Sequence, residues 1–288
     1  MKKIQIFIIL LINVGTLFSQ NPTEKAQPIA EEGKLLYQSE MASWHGTDLF
    51  LERYDKRENI GGYFSYSEND AVKCVFFSRD SLPIVIGTIT FDTTFRINTA
   101  LVDLNERNLS KKETDLFVIR RAALIEIQTD TLFKTYENTN LNLIPLVKGN
   151  EKKVYVLTGP KVSGVVIFGN DYLISFDENN NVISKRALHK NIIPIYYGAE
   201  QNEGEDVFGA MHSHLPETGE FITPTDICTL MMYSKYANWK THHVVSKEYL
   251  NVWNCETNSL TVVPMGTIDK ISKDQDKRQK KKNKKGSH

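Results

Sequence analysis

Cysteine is scarce in this 288-residue chain: Cys74, Cys228 and Cys255 are the only three, widely spaced and odd in number. No Cys-x-x-Cys pair or similar metal spacing occurs, and at most one bridge can form within a monomer, so disulfides are not the main source of stability. Net charge is missing as well. The 35 Lys and Arg balance the 35 Asp and Glu, so overall electrostatics favour neither nucleic acid nor acidic lipid. Basic residues interleaved with aromatics, the pattern of single-strand nucleic-acid binders, are absent. So are a Gly-x-Ser-x-Gly elbow, a P-loop and a dinucleotide fingerprint; Gly164 to Gly169 bracket apolar strand residues and form no phosphate cradle. Beyond Gln20 there is no long apolar run, which predicts a mature chain without a transmembrane segment.

The one apolar stretch lies at the start. Lys2 and Lys3 precede a run from Ile4 to Val14 broken only by Gln5 and Asn13, and Ser19 offers a small-residue exit before Gln20. Charge, apolar core and small residue in that order predict a cleaved signal peptide over residues 1–19 and a secreted or periplasmic protein. The opposite end is basic. From Lys270 to Lys285, lysines and one arginine outnumber Asp269, Asp274 and Asp276, and no aromatic residue intervenes, which predicts a disordered, solvated tail over 267–288.

Between these ends the pattern divides in two. Residues 22–33 read as a polar lead-in and 29–54 as helical in places, with Gly46 as an interruption. Aromatic and β-branched runs at 63–66, 72–77, 84–91 and 95–104, separated by Asn-Asp, Asp-Ser and Asp-Thr, predict antiparallel strands. Ser110 with Glu113 three residues on predicts a capped helix over 110–127. A second half, 146–266, is expected to carry strands at 154–157, 165–176, 182–188, 192–197 and 207–212, a helix at 224–236, and strands at 242–245, 250–254 and 260–263. The fold class is therefore α+β with a mostly antiparallel sheet, and 20–145 forms a β-rich N-terminal region with flanking helices.

One segment carries chemistry. Residues two apart on a strand face the same way, so His212 and His214 direct both imidazoles into one volume at a predicted strand end. A short loop leads to Thr223-Pro224-Thr225-Asp226 at a helix start, from which Asp226 can join them. Two imidazoles, a carboxylate and an open position suit a catalytic Zn2+ ion, which lowers the pKa of bound water to about 7. The same four residues also make a sound helix start with no metal at all: Thr as N-cap, Pro at N1 and an acid at N3. His189 ends a predicted strand and reads first as a surface histidine, with a further ligand or a substrate contact as the alternative. His242 and His243 are adjacent on a strand and cannot chelate together, and His45 has no visible partner.

His212-x-His214 followed by Thr223-x-x-Asp226 resembles the metal motif of the JAMM (MPN-type) metallopeptidases, over about residues 150 to 265. The resemblance implies that His212, His214 and Asp226 bind zinc, that Thr223 helps polarise the scissile carbonyl, and that an upstream glutamate activates water. Glu151 sits about where that glutamate belongs. Glu126 is an alternative, and a chain with no such base would be a metal-binding or vestigial relative. The implied activity is hydrolysis of a peptide or isopeptide amide bond in a peptide or protein substrate. The rival expectation is a non-catalytic envelope binding or assembly protein.

Overall fold

Asn21 opens the first helix: its side chain accepts the Thr23 amide at 3.0 Å, and Pro22 takes the first helical position, where an amide proton is not needed. The computed structural model describes residues 21–198 and 209–285; the signal-peptide assignment falls outside them. Helix α1 runs unbroken over Pro22–Arg53, in place of the expected lead-in and interruption. Gly46 sits inside it because the helix lies directly on a strand there: a Cβ at Gly46 would stand 2.7 Å from that of Cys74. The glycine marks a close approach, not a break.

Next comes an antiparallel meander of β1 (Ile60–Glu68), β2 (Ala71–Ser78), β3 (Val85–Phe91) and a short β4 (Leu101–Asp103). The strand expected over 95–104 shrinks to three residues because Phe95 adopts a positive φ of 54° and Ile97–Thr99 form a 3-10 turn. Helix α2 (Lys111–Thr129) begins with the expected capping box, Ser110 and Glu113 each bonding the other's backbone amide.

A second sheet begins with β5 (Thr139–Lys148) and β6 (Glu151–Pro160), paired along their whole length. The boundary expected between residues 145 and 146 therefore falls inside a strand and marks no seam. Pro145 is tolerated there because β5 is an edge strand, in the order β5-β6-β8-β9. The run 165–176 divides into β7 (Val165–Gly169) and β8 (Tyr172–Phe176), since Asn170, at φ 57°, turns the chain between them. β8 stays with β6 and β9 (Val182–Ala187), while β7 pairs with β10 (Ile192–Tyr196) as a separate ribbon.

The last sheet orders β11 (Gly209–Ser213), β12 (Thr241–Val245), β13 (Tyr249–Asn254) and β14 (Ser259–Pro264), with α3 (Pro224–Tyr233) connecting β11 to β12. That β11–β12 pairing is parallel, as a crossover through a helix requires; every other strand pairing described is antiparallel. The basic C-terminal segment is helix α4 (Met265–Lys285), not a disordered tail. No Gly or Pro follows Gly266 within it, its Lys, Arg and Gln favour helix, and residues 269–279 are exposed. The fold is α+β.

Helix α1 is the spine. Ala26 and Ala30 pack with α3, β7 and the last sheet; Leu36 packs with Ile144, Tyr155, Leu173 and Cys228; and Ala42, Leu49 and Phe50 close the first sheet. Helix α2 covers the second sheet through Ile119 and Ala123 against Val154, Val156 and Ile174. Among the described residues, no helix is long and apolar enough to cross a membrane.

Candidate metal centre

β11 is an edge strand, and its alternation sets the site. Met211 is 62 % exposed, whereas His212 and His214 on the opposite face are 6 % and 7 % exposed. His214 lies one residue beyond the strand but keeps strand geometry because its amide bonds the Val245 carbonyl at 2.8 Å. The two Nε2 atoms come within 3.2 Å of each other. Asp226 enters from the first turn of α3. The Thr223 amide and hydroxyl both donate to its Oδ2, at 2.9 and 2.8 Å, and its own amide donates back to the Thr223 Oγ1 at 3.1 Å. This reciprocal cap fixes the helix start and aims the carboxylate at the histidines.

His189 completes the cluster from the link between β9 and β10. It is held in place by the amide of Leu188, which bonds the Asp171 carbonyl at 2.7 Å. Its Nε2 lies 3.3 Å from Asp226 Oδ1, His212 Nε2 lies 3.6 Å from the same oxygen, and His214 Nε2 lies 3.2 Å from Oδ2. One ligand atom from each of the four residues lies within 4.8 Å of the others, and all four residues are buried. These residues could hold a metal ion.

Two observations favour a cation over an ordinary polar cluster. First, the contact that faces the centre is loose: His189 Nε2 and Asp226 Oδ1, both buried, stand 3.3 Å apart as an ion pair without hydrogen-bond geometry. Buried polar groups paired so loosely are costly. Second, the spacings match a coordination shell. Tetrahedral ligands at about 2.0–2.1 Å from an ion stand roughly 3.3 Å apart, close to the spacings described above.

Charge balance points the same way. Burial pulls the His189 imidazole down, but Asp226 and then Asp171 outweigh it and raise its pKa to about 10. Burial pushes Asp226 up, yet the neighbouring His189 and His212 hold its carboxyl well below the usual range. His212 falls to about 4 through burial and the nearby His214 and His189, so it stays neutral, with a lone pair available. The cluster is built around one positive charge, which a proton on His189 or a metal ion can supply.

The outer contacts orient the rings. His212 Nδ1 lies 2.9 Å from His242 Nε2, and Phe168 of β7 packs against both rings at 4.9 and 4.7 Å between centroids. His189 Nδ1 lies 3.5 Å from Asp171 Oδ2, and Asp171 Oδ1 is anchored by the Thr158 amide at 2.8 Å. Partners behind ligating imidazoles fix their orientation and tautomer. His242 is fully buried behind His212, and sequence alone gave no sign of that role.

The structure thus brings together His212, His214 and Asp226, places Thr223 beside them, and adds His189, which had read first as a surface residue. The Thr223 hydroxyl is committed to Asp226 and to Thr225 Oγ1 at 3.0 Å, so it serves as cap and carboxylate support. The glutamates do not join. Glu151 begins β6 with its side chain 69 % exposed and pairs with Lys153 at 3.2 Å; strand-start exposure carries it to solvent. Glu126 sits on α2 and pairs with Lys185 at 2.6 Å. Comparison with family models, curated proteins and solved structures finds no match for this chain.

Proposed function

We propose that the chain is an exported zinc protein whose ion is enclosed by His189, His212, His214 and Asp226 and ties the β9–β10 link, the end of β11 and the start of α3 together. The observation that carries this reading is the convergence of the four ligand atoms. Three imidazoles and one carboxylate suit Zn2+ better than Mg2+ or Ca2+, which prefer more numerous oxygen ligands. The order of Lys2, Lys3, the apolar run and Ser19 supports export. A centre with four protein ligands is closed, and closed tetrahedral zinc sites are structural. This favours a binding or assembly role over hydrolysis.

A second reading, amide hydrolysis in the manner of the JAMM metallopeptidases, is favoured by one observation. Without His189, the remaining His212, His214 and Asp226 are the ligand set which that resemblance implies. His189 is also the ligand held only by loose ion pairs, to Asp171 at 3.5 Å and Asp226 at 3.3 Å. Bound zinc would then supply an activated water, and a groove of about 310 Å³ lined by Leu188, Ile222 and Thr223 offers a place for a substrate chain. No carboxylic acid beyond Asp226 and Asp171 approaches the ligands among the described residues, which places this reading second.

Elemental analysis of protein purified without a histidine tag tests both. The closed-centre reading expects one zinc per chain, a melting temperature that drops in chelator, and no cleavage of peptide substrates. Protein free of metal, with unfolding indifferent to chelator, sinks both readings. Zinc-dependent amide cleavage that His212→Ala abolishes overturns the first in favour of the second.

A further inference from the structure

A cavity of about 630 Å³ lies away from the histidine cluster, between the C-terminal half of α1, β5 and the far end of α3. Met232 and Tyr233 reach it from α3, whereas Asp226 sits at the opposite end, about 10 Å away along the helix axis. Five aromatic side chains line it: Trp44, Tyr63, Tyr197, Tyr233 and Tyr236. Trp44 and Tyr236 are 45 % and 60 % exposed, a large apolar area to leave in water at the mouth of a cavity.

Among the described residues, a single carboxylate stands in this aromatic wall. Glu40 Oε2 accepts the Asn142 amide at 2.9 Å, and no other hydrogen bond or ion pair reaches Glu40 among the described residues. Lys161, the basic residue of the lining, is exposed and makes no contact with it. An acidic group in such surroundings lacks a counter-charge, and aromatic faces attract cations.

We propose that this cavity binds an organic cation, an ammonium or guanidinium group that sits against the Glu40 carboxylate and between the faces of Trp44 and the tyrosines. The site is independent of the metal centre and of either reading of it. Burial holds the Glu40 carboxyl up at about 7 against the Asn142 bond, and a cation bound beside it would favour the ionised form. Saccharide binding also uses aromatic platforms with amide and acid groups, but a neutral sugar supplies no positive charge to pair with the Glu40 carboxylate.

Titration of the purified, metal-loaded protein, followed by Trp fluorescence and by calorimetry, tests this with tetramethylammonium, Nα-acetyl-arginine amide and Nα-acetyl-lysine amide. Neutral arms are Nα-acetyl-glutamine amide and N-acetylglucosamine. At least one cationic probe should bind ten times or more tighter than the glutamine amide. Glu40→Gln, which retains an acceptor for Asn142, should remove that preference, and Trp44→Ala at the exposed rim should weaken the cation at least tenfold without altering metal content. Should Glu40→Gln misfold, Trp44→Ala and Tyr236→Ala carry the test. Equal binding of cationic and neutral probes, preference for the sugar, no binding at all, or variants that bind the cation unchanged would each overturn the proposal.

Discussion

Gly33 of α1 lies against Ile227 of α3 so closely that a Cβ at Gly33 would stand 2.7 Å from the Ile227 Cβ and 2.9 Å from the Pro224 carbonyl oxygen. The spine helix therefore touches the turn that presents Asp226. Gly33→Ala should push α3 away and cost about 1–3 kcal/mol as an overpacking change. On the zinc reading it should also weaken metal binding, because the carboxylate moves with the helix start. Gly266→Ala is the control: open space surrounds that position, and a helical alanine is neutral or mildly stabilising. Thermal melts and a chelator competition read both effects. A Gly33→Ala protein with unchanged melting and unchanged metal affinity would show that the close contact does not position the site.

Asp226 combines two duties that substitutions can separate. Asp226→Asn keeps an acceptor for the Thr223 amide and hydroxyl, so the helix cap persists, but it removes the charge that faces the histidines. Metal should be lost while helix content is kept. Thr223→Ala should do the converse, costing about 0.5–2 kcal/mol through the lost cap while leaving all four ligands in place. Metal content and circular dichroism of the two variants distinguish the roles. Thr223→Ala protein devoid of zinc would make the hydroxyl part of the centre itself.

Much of this was legible in the sequence, for physical reasons that can be named. The His212 and His214 pair follows from strand alternation, and the Ser110 and Thr223 capping boxes are local patterns that tertiary context reinforced. What stayed hidden depends on distance in the chain. His189 joins the centre only because the β9–β10 link folds over α3, and His242 reaches His212 only through the parallel β11–β12 pairing. The helical spacing around Gly46 was visible, but the strand behind it was not, so a packing glycine read as a break. Glu151 had the right place in the chain order and the wrong place in space.

If the proposed centre takes up zinc, His189 should release a proton. Its pKa, raised to about 10, keeps it protonated at pH 7, and a metal must displace that proton to reach Nε2. Affinity should therefore rise with pH up to about 10. Calorimetry in buffers of different ionisation enthalpy should give about one proton released at pH 7 from this residue, and His189→Ala should release about one fewer while binding zinc more weakly. Equal proton release by both proteins would contradict the assignment.

The last prediction concerns α2, whose start is held by a buried charge network. Arg107 donates from Nη1 and Nη2 to the two oxygens of Glu113 at 2.7 Å each, the Ser110 amide donates at 2.8 Å, and the Tyr66 hydroxyl at 3.1 Å. Burial raises the Glu113 carboxyl, but these donors, Arg107 foremost, outweigh it and bring the pKa from 4.5 to about 2. A folded-state pKa below the unfolded value stabilises the fold above the unfolded value, and that contribution is lost as pH falls through the folded one. The stabilisation should be complete above about pH 5, worth at most about 3 kcal/mol, and gone near pH 2. Glu113→Gln, which keeps the shape and loses the charge, should be less stable than the parent at pH 7, with the gap closing as pH drops from about 5 toward 2. Denaturant unfolding at four or five pH values measures it. A gap that stays constant with pH would mean the network acts through packing and hydrogen-bond geometry and not through the charge of Glu113.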